Sequence, residues 1–292
     1  MEHTERLDDA FERPIDPRRE RSPLRALGAL ALLVVVIGLA AALYVWNQQS
    51  KAPPAPQPVP ATPPATPSVA PQPDFGQTEK HPIEAIAPKS EQPEALPAIA
   101  DSDAALHDSL ASLLGTGVVD GLFYPDRIVR RVVATVDNIP RPSLSADIRP
   151  VKPASGAFAT LGPDGAKQIG LDNAARYAPY VNALAAVDSR ALVTLYVRFY
   201  PLFQQAYRDL GYPNGHFNDR VVEAIDNVLA TPVIEAPISL SQPKVLYEYA
   251  DPALQSLSAG QKVLLRMGPE NAARVRAKLR EIRALVTAQR PG

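Results

Sequence analysis

Hydrophobic and polar positions divide the chain into four segments. After a polar start, the run from Leu27 to Trp46 contains no charged side chain. Together with Ala26, this run would form a helix about 31 Å long at a rise of about 1.5 Å per residue, which matches a bilayer core of about 30 Å. The predicted segments are a polar amino-terminal segment (1–23), a transmembrane helix (24–46), a proline-rich linker (47–100) and a helical domain (101–288).

Beyond the linker, apolar positions recur mostly at helical spacing. Ile128, Val132 and Val136 repeat every four residues, and Pro125 is well placed to start their helix. Two stretches instead indicate strands: AFATLGPDGAKQIG, with a Pro-Asp-Gly turn, and PISLSQPKVLYEYA. We therefore expect a mainly α-helical domain with a small β-hairpin or minor sheet. Further helix starts are predicted at Ser102, Asp172, Asp251 and Gly268, and at a capping-box pattern formed by Ser258 and Gln261.

An aromatic-rich helix is predicted from Arg190 to Gly211. At about 100° per residue, Phe199 and Phe203 lie on one broad apolar face, so the aromatic side chains are chiefly core. Three tyrosines at the edge of this face each need a hydrogen-bond partner if buried. They form either a structural network or a ligand pocket together with three side chains of the preceding helix. The candidate binding residues are Arg176, Tyr177, Tyr180, Tyr196, Tyr200 and Tyr207.

The segment FNDRVVEAIDNVL carries a candidate acidic site. Asp219, Glu223 and Asp226 lie on one helical face, and neighbouring carboxylates perform acid and base chemistry or hold a hard cation. Val221 and Ile225 place the buried face nearly opposite, which favours the alternative of a solvated acidic stripe. The chain has no cysteine, and its four histidines are scattered. We therefore expect no metal, no cofactor and no catalytic residues.

The last predicted helix is basic. Residues 262–290 carry eight Lys or Arg against two Glu. One interpretation is docking on an anionic membrane surface or an acidic partner. The alternative is a helix packed on its own domain, with long basic side chains covering the edges of the contact between the helix and the domain. The flanking cations are Arg274, Arg276, Lys278 and Arg283.

Several longer strings carry a family resemblance. They are NAARYAPYV, LYVRFYPLFQQAYRDLGYP, FNDR, LATP and YADPALQSLSAGQKVLLRMGPENA. Together they resemble the bacterial family called domain of unknown function 3014, over roughly residues 101–287. The resemblance also covers the general plan of an amino-terminal anchor and a proline-rich linker. It implies no activity and supplies no catalytic residues for this chain.

Charge around the apolar run predicts its orientation. Four arginines within residues 18–25 precede the run, whereas only Lys51 closely follows it. The amino terminus should stay in the bacterial cytoplasm and the domain should lie in the periplasm. A cleaved signal peptide is the alternative, because residues 40–42 are small, but the apolar run is longer than usual for such peptides.

The linker is expected to act as a spacer. Fourteen prolines fall among the fifty residues 51–100, a composition that favours solvated polyproline II and does not support a core. We expect the linker to be disordered and to let the domain extend away from the membrane.

These features predict a binding or scaffolding role rather than an enzyme. The expected protein is a single-pass inner-membrane protein whose periplasmic domain contacts an envelope protein or a cell-wall partner. The alternative is a hydrolase-like envelope enzyme that uses the carboxylates of the helical domain. Nucleic acid is not an expected partner, because the whole chain has a net charge of only -1 and no strongly basic footprint.

Overall fold

The computed structural model describes residues 78–87, 95–235 and 237–288. The predicted cytoplasmic segment (1–23), the transmembrane helix (24–46) and the first part of the linker lie outside the described residues. Within the described ranges, no helix is both long and apolar enough to cross a bilayer.

The domain is mainly helical, as predicted. The helices are joined by loops and by two short antiparallel sheets, and two 3-10 turns (Ile83–Ala85 and Ile99–Asp101) precede the first helix. The helices of the described part are α1 (Asp103–Leu114), α2 (Thr116–Leu122), α3 (Ile128–Asn138), α4 (Asn173–Ala186), α5 (Ser189–Asp209), α6 (Phe217–Leu229), α7 (Pro252–Gln255), α8 (Ala259–Arg266) and α9 (Pro269–Val286).

Helices α5 and α9 form the centre of the fold. Helix α5 starts at Ser189 because the Asp188 side chain accepts hydrogen bonds from two backbone N–H groups of its first turn, both at 2.9 Å. Pro201 lies inside this helix on its exposed side, where water can satisfy the freed carbonyl group. Helix α9 packs against α4, α5 and α6 through a narrow apolar stripe that includes Leu279 and Ile282, both fully buried.

The predicted caps are present at some helices and absent at others. Asp251 accepts from the backbone N–H two residues later (2.8 Å), and Ser258 and Gln261 form the expected capping box. Ser102 and Asp172 make no side-chain cap, and the Ser102 hydroxyl donates instead to the carbonyl three residues earlier (2.8 Å).

The start of α3 differs from the prediction. The helix begins at Ile128 rather than at Pro125, and Arg127 before it has a left-handed backbone (φ 54°). The Asp103 carboxylate of α1 accepts hydrogen bonds from the N–H groups of Arg127 (2.6 Å) and Ile128 (2.8 Å). The first-turn N–H groups of α3 are thus satisfied by another helix, a contact that the residues around Pro125 do not encode.

The two stretches predicted to be extended each supply strands. Strands β1 (Thr160–Leu161) and β2 (Gln168–Ile169) pair antiparallel, as do β3 (Leu240–Ser241) and β4 (Glu248–Tyr249). Two hydrogen bonds link the sheets, from the N–H of Ile169 to the Ile238 carbonyl (3.0 Å) and from the N–H of Leu240 to the Lys167 carbonyl (2.7 Å). A small apolar cluster beside them contains Leu240, Tyr249 and Leu254.

Part of the expected linker packs on the domain. Residues 78–87, which we call the strap, lie against the amino end of α6, and Ile83 of the strap is buried in the main core. Ile99 is buried in the same core. The structured unit therefore includes residues that fall within the predicted linker (47–100). The physical reason is that these isoleucines bury apolar surface, an effect that the surrounding prolines obscured in the sequence.

Candidate functional site

The tyrosines of α5 belong to the core. Tyr196, Tyr200 and Tyr207 are all buried, and burial raises the pKa of each phenol above its ordinary value. The Tyr196 hydroxyl donates to the Asn218 side-chain oxygen (3.2 Å), and the Tyr200 hydroxyl donates to that of Gln204 (2.9 Å). The Tyr207 hydroxyl is buried without a hydrogen-bond partner among the described residues. Two of the three hydroxyls therefore take part in a structural network.

Of the other three candidate binding residues, Arg176 and Tyr180 form hydrogen bonds with a different part of the domain, whereas the Tyr177 hydroxyl is buried without a hydrogen-bond partner among the described residues. Arg176 donates to the carbonyls of Ser155 and Gly156, both at 3.0 Å. The Tyr180 hydroxyl lies 3.1 Å from the Pro153 carbonyl, and burial raises its pKa to about 12. Tyr177 is fully buried, which also raises its pKa to about 12. These contacts hold the loop before β1 on α4, so the six candidates serve two separate parts of the fold.

Each carboxylate of the acidic stripe on α6 has its own partner. Asp219 accepts hydrogen bonds from the strap, Glu223 pairs with Arg220 at 2.6 Å, and Asp226 pairs with Arg283 of α9. The three acids thus point to three different partners rather than to a shared centre. In the described part of the chain, no group of three or more His, Asp or Glu side chains is arranged to hold a metal ion.

A buried ion pair joins α3 to α6, and the sequence analysis missed it. Asp137 and Arg220 are both buried, with the Asp137 carboxylate 3.1 Å from Arg220 Nε. The same carboxylate accepts from Arg141 (2.7 Å) and from the Tyr212 hydroxyl (3.3 Å). Burial by itself lowers the pKa of Arg220. The neighbouring carboxylates of Glu223 and Asp137 raise this pKa by more, so it lies above its ordinary value. The only signal in the sequence was an acid within the apolar repeat of α3.

The flanking cations of α9 bind their own domain. Arg274 donates to the Asn182 side chain (2.9 Å), and Arg276 donates to the Leu229 carbonyl (3.1 Å). Arg283 pairs with Asp226 through Nη2 (2.9 Å). These contacts are those of a helix packed on its own domain, with basic side chains covering the seam.

An open cleft of about 580 Å³ lies between the start of α5 and the middle of α9. Inside it, the Ser189 hydroxyl donates to Glu281 (2.6 Å), and Lys278 Nζ lies 3.0 Å from the same carboxylate. These hydrogen bonds hold the pKa of Glu281 below its ordinary value. Asp188 and Arg190 are exposed at the edge. The cleft is lined by Ala186, Val187, Asp188, Ser189, Arg190, Lys278, Glu281, Ala284 and Leu285.

The polar side chains inside the cleft are paired with one another. Ser189 donates to the Glu281 carboxylate, and Lys278 donates to the same carboxylate and to the Val187 carbonyl (2.8 Å). The cleft presents both signs of charge to solvent beside the apolar Leu285. Its two halves lie about ninety residues apart in the chain, so no local pattern revealed it.

The fold and these sites define the class of the protein: a mainly helical domain with a minor antiparallel sheet, in which the candidate polar residues mostly stabilise the fold. The chain belongs to the family described as Protein of unknown function (DUF3014), whose sequence model matches residues 128–283. This match confirms the resemblance seen in the sequence. It runs from the first residue of α3 into α9, and the strap, α1 and α2 lie outside it. No curated protein and no solved structure matches the chain.

Proposed function

We propose that the chain is a single-pass inner-membrane protein that presents a binding or scaffolding domain in the periplasm. The observation that carries the binding role is the open cleft between α5 and α9. Its volume of about 580 Å³ is within the range of about 300–1,000 Å³ usual for ligand sites. The exposed Asp188 and Arg190 at its edge suit a partner that carries both signs of charge, such as a peptide segment.

The paired carboxylates favour binding over catalysis. General acid and base work needs a carboxyl group that reaches a substrate. Asp219 is engaged by the strap, Glu223 by Arg220 and Asp226 by Arg283. These acids therefore stabilise the fold, and the hydrolase-like alternative lacks a convergent pair of acids among them.

The membrane anchor is supported by the sequence. The run from Leu27 to Trp46 has the length and composition of a transmembrane helix, and the arginines within residues 18–25 favour a cytoplasmic amino terminus. The proline-rich segment that follows would carry the domain away from the bilayer surface.

A photocrosslinking experiment tests the binding role. We expect a photoreactive amino acid in place of Arg190 to give one discrete crosslinked product in the native cell envelope, because Arg190 stands at the edge of the cleft. The matched control is the same substitution at Gln205, an exposed residue of α5 outside the cleft lining. Mass spectrometry of the products would identify the partner. No product from position 190, or the same product from both positions, would contradict the proposal.

A further inference from the structure

The strap is held through its backbone by the first turn of α6. The Asp219 carboxylate accepts hydrogen bonds from the N–H groups of Lys80 (3.1 Å) and His81 (2.9 Å). The Asn218 side chain donates to the carbonyl of His81 (2.8 Å). Two neighbouring side chains of the domain thus bond two donors and an acceptor of the strap backbone where it bends at Lys80 and His81.

Side chains add selectivity to this backbone recognition. The His81 imidazole lies 2.9 Å from Asp219, and Glu79 of the strap lies 3.3 Å from His216, the residue before α6. Two positions beyond His81, Ile83 is buried in the main core. The domain therefore fits a segment with an acid, a histidine and a buried aliphatic side chain at alternate positions.

The recognition site is positioned in advance by the core. Asn218 is fully buried, and its side-chain oxygen accepts the hydroxyl of Tyr196 (3.2 Å). Its amide also donates to the Val286 carbonyl at the end of α9 (3.2 Å). Three helices, α5, α6 and α9, thus fix the orientation of the Asn218 amide that donates to the strap. A side chain held in this way loses little conformational entropy when its ligand binds.

We propose that the amino end of α6 is a recognition site for a short bent peptide segment, filled by the chain's own residues 79–83, and that this contact is a releasable latch on the tether. While the strap is bound, the first described contact of the chain with the domain is in the strap, near residue 78. Without that contact, the first would lie near residue 95, about 17 residues later, which corresponds to roughly 50 Å of extra reach at about 3.1 Å per residue. The latch thus sets how far the domain extends from its attachment point.

Limited trypsin digestion of the full-length chain tests the latch, because Lys80 is a trypsin site inside the strap. We expect Asp219→Ala to raise the rate of cleavage after Lys80, relative to cleavage after Lys51, by about tenfold or more. The reason is that it removes charged hydrogen bonds that hold the strap. Ile83→Asp, which puts a charge on the strap residue that is buried in the main core, should have a similar effect. The matched control is Asp226→Ala, an acid of α6 that pairs with Arg283, which should change the ratio by less than about twofold.

Several outcomes would overturn the latch. One is a cleavage ratio that stays unchanged in both Asp219→Ala and Ile83→Asp. Another is an equal increase in Asp226→Ala, which would indicate general loosening of α6. If circular dichroism shows that Asp219→Ala does not fold, Ile83→Asp decides alone, because Ile83 lies in the strap and outside helices α1 to α9.

A labelled peptide of residues 78–87 tests recognition separately. Its binding should be detected by fluorescence anisotropy with the Ile83→Asp chain, whose site is vacant. The wild-type chain should bind it at least about tenfold more weakly, since the tethered strap competes at high effective concentration. The Asp219→Ala, Ile83→Asp double variant should not bind it. Equal binding to all three chains, or no binding to the Ile83→Asp chain, would contradict a recognition site.

Discussion

Asp137→Asn should lower the free energy of unfolding by about 3–5 kcal/mol, the usual cost of removing one partner from a buried ion pair. The substitution keeps the size of the side chain but removes the buried one of the two carboxylates paired with Arg220, so that the half-exposed Glu223 is its remaining charged partner. Arg141 and the Tyr212 hydroxyl lose their charged acceptor as well. Urea unfolding of the full-length chain, followed by far-ultraviolet circular dichroism, measures the loss.

A half-exposed ion pair of the same domain provides the control. Asp226 and Arg283 both keep about two-fifths or more of their side-chain surface in solvent, at 46% and 40%. Asp226→Asn should therefore cost less than about 1 kcal/mol. Replacing both buried partners, with Asp137→Asn and Arg220→Met together, should recover part of the stability lost in the single variant. Equal losses in Asp137→Asn and Asp226→Asn would contradict the assignment of Asp137 as a buried anchor between α3 and α6.

Phe203→Ala should lower the free energy of unfolding by about 3–5 kcal/mol, as is typical when a buried aromatic side chain is truncated. Phe203 is buried against the rings of Tyr196 and Phe217, with its ring centroid 5.9 Å from each. It also lines a small apolar cavity of about 20 Å³ between α1, α3 and α5, so truncation enlarges an existing void. The measurement is the same urea unfolding experiment.

The control for Phe203→Ala lies two residues away on α5. Gln205 is exposed, so Gln205→Ala should change stability by less than about 0.5 kcal/mol. If Phe203→Ala were equally harmless, the aromatic side chains of α5 would not form the core. They would then be candidates for the binding surface considered from the sequence.

Much of the fold could be predicted from periodicity, because local patterns set local structure. The spacing of Ile128, Val132 and Val136 corresponds to α3, and the residues around Phe199 and Phe203 form the buried face of α5, as expected. Helix boundaries were less predictable where a distant side chain supplies the cap. Asp103 caps α3 from another helix, so the actual start could not be read near Pro125.

The candidate sites were harder to predict because their partners are distant in the chain. The stripe containing Asp219 was recognised, but its partner His81 lies well over a hundred residues earlier in what looked like linker. The ion pair of Asp137 with Arg220 was hard to predict for the same reason, because its two residues lie far apart in the chain. Ser189 and Glu281 meet only when α5 packs on α9. Helical periodicity reports which face is buried, and it carries no information about which polar side chains meet across helices.

The topology of the chain is the most direct test of the proposed function. A reporter that is active only in the periplasm should be active when fused after Gly292 and inactive when fused before Met1, because the arginines within residues 18–25 should keep the amino terminus in the cytoplasm. A cytoplasmic reporter should give the opposite result with each fusion. Periplasmic activity of the amino-terminal fusion, with none from the fusion after Gly292, would contradict the periplasmic placement of the domain and with it the proposed envelope role.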